Sequence, residues 1–314
     1  MKKLLIRILI LSSVLIACIL IFCTYIFLCI PPQFSGEYQS SINRKYETLL
    51  KTEGPKIIYV AGSSGTFCVD DKYVSNELDM PFINLGLHAS YGIRFISELS
   101  KANISNGDII ILGFEEEVYN NDIEKSDIYL MASGINDNLK LLKYFSFNQK
   151  IDFISYFPTY ALKKIDRYIE NYKISDGVYS SKNFDEYGVF NFNREEMDPA
   201  KQNIANIPPL SESYISESII KYFRHYKEFV NDKGAEVYIM FPPVGKDSIE
   251  SNKENHNKFR EFLELKTGIT VINDIEQILF ENKYLYDYNY HCNNNGQKIY
   301  SELLVKSIKK IKEK

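Results

Sequence analysis

Residues 58–70 read IYVAGSSGTFCVD: an apolar run stops at Ala61 and passes at once into Gly62-Ser63-Ser64-Gly65. A strand that breaks on small residues and enters a helix presents a side chain at the carboxyl edge of an open α/β sheet, where ligands of such sheets bind. A serine there is a nucleophile, a phosphate ligand or a plain turn residue. The rest of the chain has to separate these.

Working outward, strands and helices alternate. Lys56 to Ala61 predicts a first strand and a helix follows to about Leu78. Pro81 to Leu85 predicts a second strand, Tyr91 to Ala102 a helix, and Ile109 to Phe114 a third strand. Near-continuous apolar strands separated by helices indicate a parallel sheet buried on both faces. Alternation fails over about 117–210, which is helical to about Ile169 and then rich in Asn, Ser, Asp and Tyr, as in a cap. It resumes with a helix over 211–231, a fourth strand over 235–241, a helix over 252–265, a short fifth strand over 268–272 and a last helix from Asn294. The expected fold is α/β, a three-layer α/β/α sandwich on a five-stranded parallel sheet.

The amino terminus has a different character. Lys2, Lys3 and Arg7 precede residues 8–30, which carry no charge. As a helix these 23 residues reach roughly 35 Å, enough to cross a bilayer. Leu15-Ile16-Ala17-Cys18 imitates a lipoprotein cleavage box, but Ile19 to Ile30 stay apolar where a lipoprotein turns polar. An uncleaved anchor over 1–30, a stem over 31–54 and one domain over 55–314 are expected. Cations before the span direct the domain out of the cytoplasm. The 314 residues carry a net charge of -4, and the mixed charges form no basic stripe for nucleic acid.

The serine turn fits no phosphate loop. No lysine follows the glycines as a Walker sequence requires, and the Gly-x-Gly-x-x-Gly dinucleotide pattern is absent. Gly-x-Ser-x-Gly is missed by one residue, Ala61, and no upstream loop exists to complete that elbow's oxyanion hole. A nucleophile needs a base and the base an orienting acid. Of four histidines, His225 and His256 lie in charged helical stretches and read as solvated. His291 stands four residues after Asp287, just before the last helix, so one segment can supply imidazole and carboxylate. His and Cys show no zinc-ligand spacing, and no cofactor is implied.

A first-strand Gly-Ser turn and a C-terminal Asp-His pair resemble the SGNH/GDSL hydrolase superfamily. The resemblance is closest to its membrane-anchored bacterial branch, similar to proteins of alginate O-acetylation and teichoic-acid D-alanylation. It covers roughly 55–115 and 211–313. It implies Ser63 as nucleophile, with Ser64 the alternative register, and Asp287 and His291 completing the triad. Asn84-Leu85-Gly86 in INLGLHASYG (83–92) resembles the family's second block, so the Gly86 amide would join that of Ser63 in an oxyanion hole, Asn84 bracing the loop. His88, on this rim, is a substrate contact or a structural histidine.

Several features depart from the family pattern. The family's acid usually stands three residues before the histidine. Its third block follows the third strand, where this chain has Glu115-Glu116-Glu117, read as a solvated helix start. Gly134-Ile135-Asn136-Asp137 carries the family's letters about 20 residues later and makes Asn136 a further oxyanion candidate. Cys68 stands where relatives tend to have glycine. With the triad assembled, Cys68 and Cys292 would lie near one sheet edge, as a disulfide or as two small apolar residues.

The resemblance implies a serine esterase or O-acyltransferase acting on an acylated cell-surface glycan. The competing expectation is an inactive member of the fold that binds a glycan or a membrane acyltransferase.

Overall fold

The computed structural model describes residues 1–170, 176–195, 202–205, 207, 210, 214–249 and 252–313. In chain order the helices and strands are α1 (Lys2–Cys29), α2 (Ser41–Lys51), β1 (Ile57–Ala61), α3 (Ser63–Cys68), α4 (Asp71–Leu78), β2 (Phe82–Gly86), α5 (Ile93–Ser100), β3 (Ile109–Gly113), α6 (Ile128–Asn136), α7 (Phe147–Ile169), α8 (Glu217–Asp232), β4 (Glu236–Ile239), β5 (Val244–Gly245), α9 (Lys246–Ile249), α10 (Lys253–Thr267), β6 (Leu279–Phe280) and α11 (Asn294–Lys312).

The main sheet is parallel throughout, in the order β2-β1-β3-β4. Every residue of β1, β2 and β3 is buried, as their unbroken apolar sequence requires when helices cover both faces. Among the described residues the sheet has four strands and not the five expected. The segment over 268–272 reaches β4 through one parallel bridge, Ile239 to Val271. The cause is local. Beyond β4 the chain runs Phe241-Pro242-Pro243, and prolines cannot donate to a ladder. The Asn273 side chain instead takes the Phe241 amide at 3.1 Å and returns a bond to its carbonyl at 2.8 Å. The remaining pair, β5 with β6, forms its own two-stranded sheet.

The register sets Ala61, Gly86 and Gly113 side by side at the carboxyl edge. Gly86 must be glycine, because a Cβ there would lie 2.4 Å from the Thr66 amide and 2.6 Å from the Gly65 carbonyl carbon. Helix α3 thereby seats directly on the strand ends. The helix expected to run to Leu78 is two, α3 and α4, parted at Val69-Asp70, with Asp70 capping α4 through the Tyr73 amide.

Helix α1 is long and apolar enough to cross a membrane, and its surface is exposed except at Cys23, Ile26 and Phe27. Pro31 cannot supply the amide that the Phe27 carbonyl would accept in a longer helix. Asn136 Nδ2 (3.2 Å) and Lys164 Nζ (2.6 Å) donate to that carbonyl instead. Asn136 Oδ1 in turn accepts from Tyr160 (2.9 Å) and Lys164 (2.6 Å). Asn136 is therefore not an oxyanion donor. Its amide closes the end of α1 against α6 and α7.

The acidic run after β3 is not solvated either. Glu115 and Glu116 are buried. Glu116 receives the Arg260 guanidinium at 2.6 Å and meets His256 Nδ1. Burial opposes the Glu116 charge, but Arg260 and His256 prevail and hold its carboxyl below the usual range. His256 is fully buried in this cluster, contrary to its reading as solvated; only His225 is exposed. Helical spacing puts both histidines in charged stretches, and the α10 face that packs inward decides which is covered.

Candidate active site

Gly62 leaves β1 in an extended conformation and caps α3, so Ser63 is the first residue of the helix. A Cβ on Gly62 would collide with the Glu115 carboxylate at 2.1 Å, which explains glycine before the serine. Ser63 is partly exposed, whereas Ser64 is fully buried. The Ser64 amide donates to Glu115 Oε1 at 3.1 Å, and its hydroxyl has no hydrogen-bond partner. The alternative register is thereby removed: Ser64 points inward, Ser63 outward.

The other end of the chain arrives at the same edge. Leu285 and Cys292 form an antiparallel bridge, and the Tyr286 amide donates to the His291 carbonyl at 2.7 Å. This tight loop returns His291 next to Asp287, so a spacing of four brings the two side chains together. Ser63 Oγ lies 2.9 Å from His291 Nε2, and His291 Nδ1 lies 2.9 Å from Asp287 Oδ1. The residues are 228 apart in sequence, so only the fold unites them. Asn289 anchors the loop through a reciprocal pair of 2.8 Å bonds to the Ala205 backbone. Phe67, on α3, sets its ring 4.4 Å from that of His291 and fixes the imidazole plane.

Cys68 and Cys292 form a disulfide with Cα atoms 4.9 Å apart. It joins the helix that begins at Ser63 to the residue after His291. Arg194, buried, makes the same link without a covalent bond: its Nη1 donates to the Phe67 carbonyl and, at 2.7 Å, to that of Cys292.

Sequence reasoning missed Tyr179. It comes from the segment between α7 and α8, and its hydroxyl donates to Asp287 Oδ2 at 2.5 Å while lying 3.2 Å from His291 Nδ1. Burial raises the Asp287 pKa, but the hydrogen bond and charge of His291 and the bond from Tyr179 outweigh it, leaving the carboxyl below its ordinary value. A depressed carboxylate stabilises the fold above its unfolded pKa, and that contribution is lost as pH falls through the folded value. Nothing near Tyr179 in sequence marks it, since 24 tyrosines populate the chain. Tyr179→Phe should raise the Asp287 pKa toward that of a free carboxyl. It should also slow any reaction using His291 by about three- to tenfold, the value of roughly one hydrogen bond to a partly exposed charge. Titration of Asp287 by NMR in both proteins checks this; an unmoved pKa contradicts it.

The expected oxyanion donors fare unevenly. The Ser63 amide is the first of α3, a position with no intrahelical acceptor. The Gly86 amide donates to Asn84 Oδ1 at 2.8 Å and is not directed at the serine. Asn84 braces the loop, as read from sequence, donating from Nδ2 to the Gly65 carbonyl (2.8 Å) and Asp71 (2.7 Å). His88 takes a structural role: it is half-buried, its Nδ1 accepts from the Ser90 amide at 3.1 Å, and its ring stacks on Tyr38. Burial first, and the charge of His291 second, lower its pKa and favour a neutral ring. No protein-family model matches the chain, and no curated protein matches it.

The arrangement can move a proton. With Nδ1–H directed at Asp287, Nε2 is the lone-pair nitrogen facing Ser63 Oγ–H, the tautomer a general base needs. Among the described residues no His, Cys, Asp and Glu group has the grouping of a metal site.

Proposed function

We propose that the protein is a serine esterase or O-acyltransferase of the SGNH/GDSL type, acting on an acylated cell-surface glycan. The observation that carries the proposal is the continuous row Ser63 Oγ, His291 Nε2, His291 Nδ1, Asp287 Oδ1, with 2.9 Å at each contact. His291 removes the Ser63 proton as Oγ attacks the acyl carbonyl, and Asp287 stabilises the imidazolium. The tetrahedral intermediate collapses with loss of the glycan oxygen, which takes the proton from His291. Water or a second hydroxyl then repeats the steps in reverse and frees Ser63. The Ser63 amide supplies an oxyanion donor.

A glycan substrate is favoured by the apolar α1, which would tether the domain at the envelope. Two features support an extracytoplasmic domain: the cations Lys2, Lys3 and Arg7 before the span, and a disulfide, which persists in oxidising compartments. A reporter fused after Lys314 should be active outside the cytoplasm, and activity confined to the cytoplasm contradicts the orientation. The full-length protein, offered an acetylated envelope polysaccharide, should release the acyl group or move it to another hydroxyl. A polysaccharide left unchanged, by a protein that also ignores simple acyl esters, would favour the binding role.

A further inference from the structure

Helix α7 is 23 residues long and has three distinct faces. One faces α1 and α6: Phe153, Phe157 and Tyr160 surround the Phe27 ring at centroid distances of 6.4, 5.5 and 5.7 Å, and Ala161 packs on Cys23 and Ile26. A second is polar, with Asp152, Lys163, Asp166 and Glu170 exposed. The third carries Phe147, Ile151, Ile154, Leu162 and Ile169. All are exposed, Phe147 by 76% and Ile154 by 68%. At about 100° per residue these five positions fall within an arc of about 80°, next to the α1-facing side.

The place of this stripe identifies what covers it. The uncharged span of α1 runs over 8–30, roughly 35 Å against a hydrocarbon thickness of about 30 Å. Only about 5 Å of slack remains, and Ile26 lies about 6 Å from the end of the span. The α1 residues that α7 grips therefore sit at the bilayer's edge or inside it, and lipid surrounds α1 at that level. A stripe beside that grip meets lipid before any other surface. Bulky apolar residues on one side and charges on the other form the pattern of a helix lying in the plane of a membrane interface. We propose that α7 is such a helix, resting its stripe in the leaflet crossed by the last turns of α1. It would hold the catalytic domain against the membrane as a second attachment, beyond the single span.

The chain contains no tryptophan, so one introduced residue reports alone. The full-length chain is reconstituted in phosphatidylcholine bilayers, with or without bromine on the acyl chains. Ile154→Trp and Leu162→Trp are compared with Phe22→Trp, inside the span, and Leu265→Trp, exposed on α10. The proposal expects the α7 variants to show blue-shifted emission, loss of signal to brominated chains as for Phe22→Trp, and little loss to aqueous iodide. Emission quenched by iodide and indifferent to bromine, as expected for Leu265→Trp, would overturn it. Shielding from both quenchers would overturn it too, since a second copy or another protein would then cover the stripe.

Discussion

Alanine in place of His291 should lower acyl turnover by on the order of 10⁴-fold or more, and Ser63→Ala should cost as much, because the two act as one unit. Neither change should unfold the domain. Ser63 is partly exposed and loses one side-chain hydrogen bond, worth about 1 kcal/mol or less net. Asp287→Asn should cost less, on the order of 10²- to 10⁴-fold, since Ser63 and Nε2 keep their contact while tautomer and charge are disturbed. The double variant Ser63→Ala/His291→Ala should be no slower than either single one. Steady-state hydrolysis of a chromogenic acyl ester, with circular dichroism to check folding, measures all four. Additive losses, or a His291→Ala protein that retains turnover, would contradict the proposed proton transfer.

The second large effect concerns the disulfide. It closes a loop with a sequence separation of 224, near the upper end of what chain entropy can contribute, and a native disulfide is typically worth about 2–5 kcal/mol. Cys68→Ala/Cys292→Ala should therefore lower Tm by about 5–15 °C for a domain of this size. The bond also lies one residue from His291 and within the helix that Ser63 begins, so turnover should fall at temperatures where the variant remains folded. Cys18 and Cys29, both exposed on α1, serve as an internal control: replacing them should leave both quantities unchanged. An unshifted Tm in the double variant would show that Arg194 and the core suffice to join the two segments.

Much of this was legible in the sequence because its causes are local. Apolar runs bounded by glycines located β1, β2, β3 and β4 to within a residue or two, and the uncharged 8–30 segment announced α1. The fifth strand failed for a reason in the next few residues: Pro242, Pro243 and the Asn273 side chain replace its ladder. Ser63 could be proposed because it stands where β1 passes into α3, and Asp287 and His291 because they share the short segment before α11, which a parallel sheet brings to the same edge. Asn136 was misjudged because matching letters carry no information about the orphan carbonyl of Phe27 that claims its side chain. The Gly86 amide was misjudged for a similar reason, its neighbour Asn84 being an acceptor within reach. Tyr179, Arg194 and the buried Glu116-His256-Arg260 cluster depend on contacts across some 100 residues or more, which no periodicity encodes.

A serine held 2.9 Å from a histidine Nε2 on the edge of a parallel sheet should be an unusually good nucleophile, and Ser63 alone among the chain's serines is so placed in the described residues. The full-length protein, treated with a fluorophosphonate and digested, should carry one phosphonyl adduct. Mass spectrometry should locate it on Ser63 in the peptide containing Ala61 to Cys68, and both His291→Ala and prior unfolding should abolish it. An unlabelled protein, or an adduct on Ser64 or on a serine remote from His291, would contradict the activated Ser63.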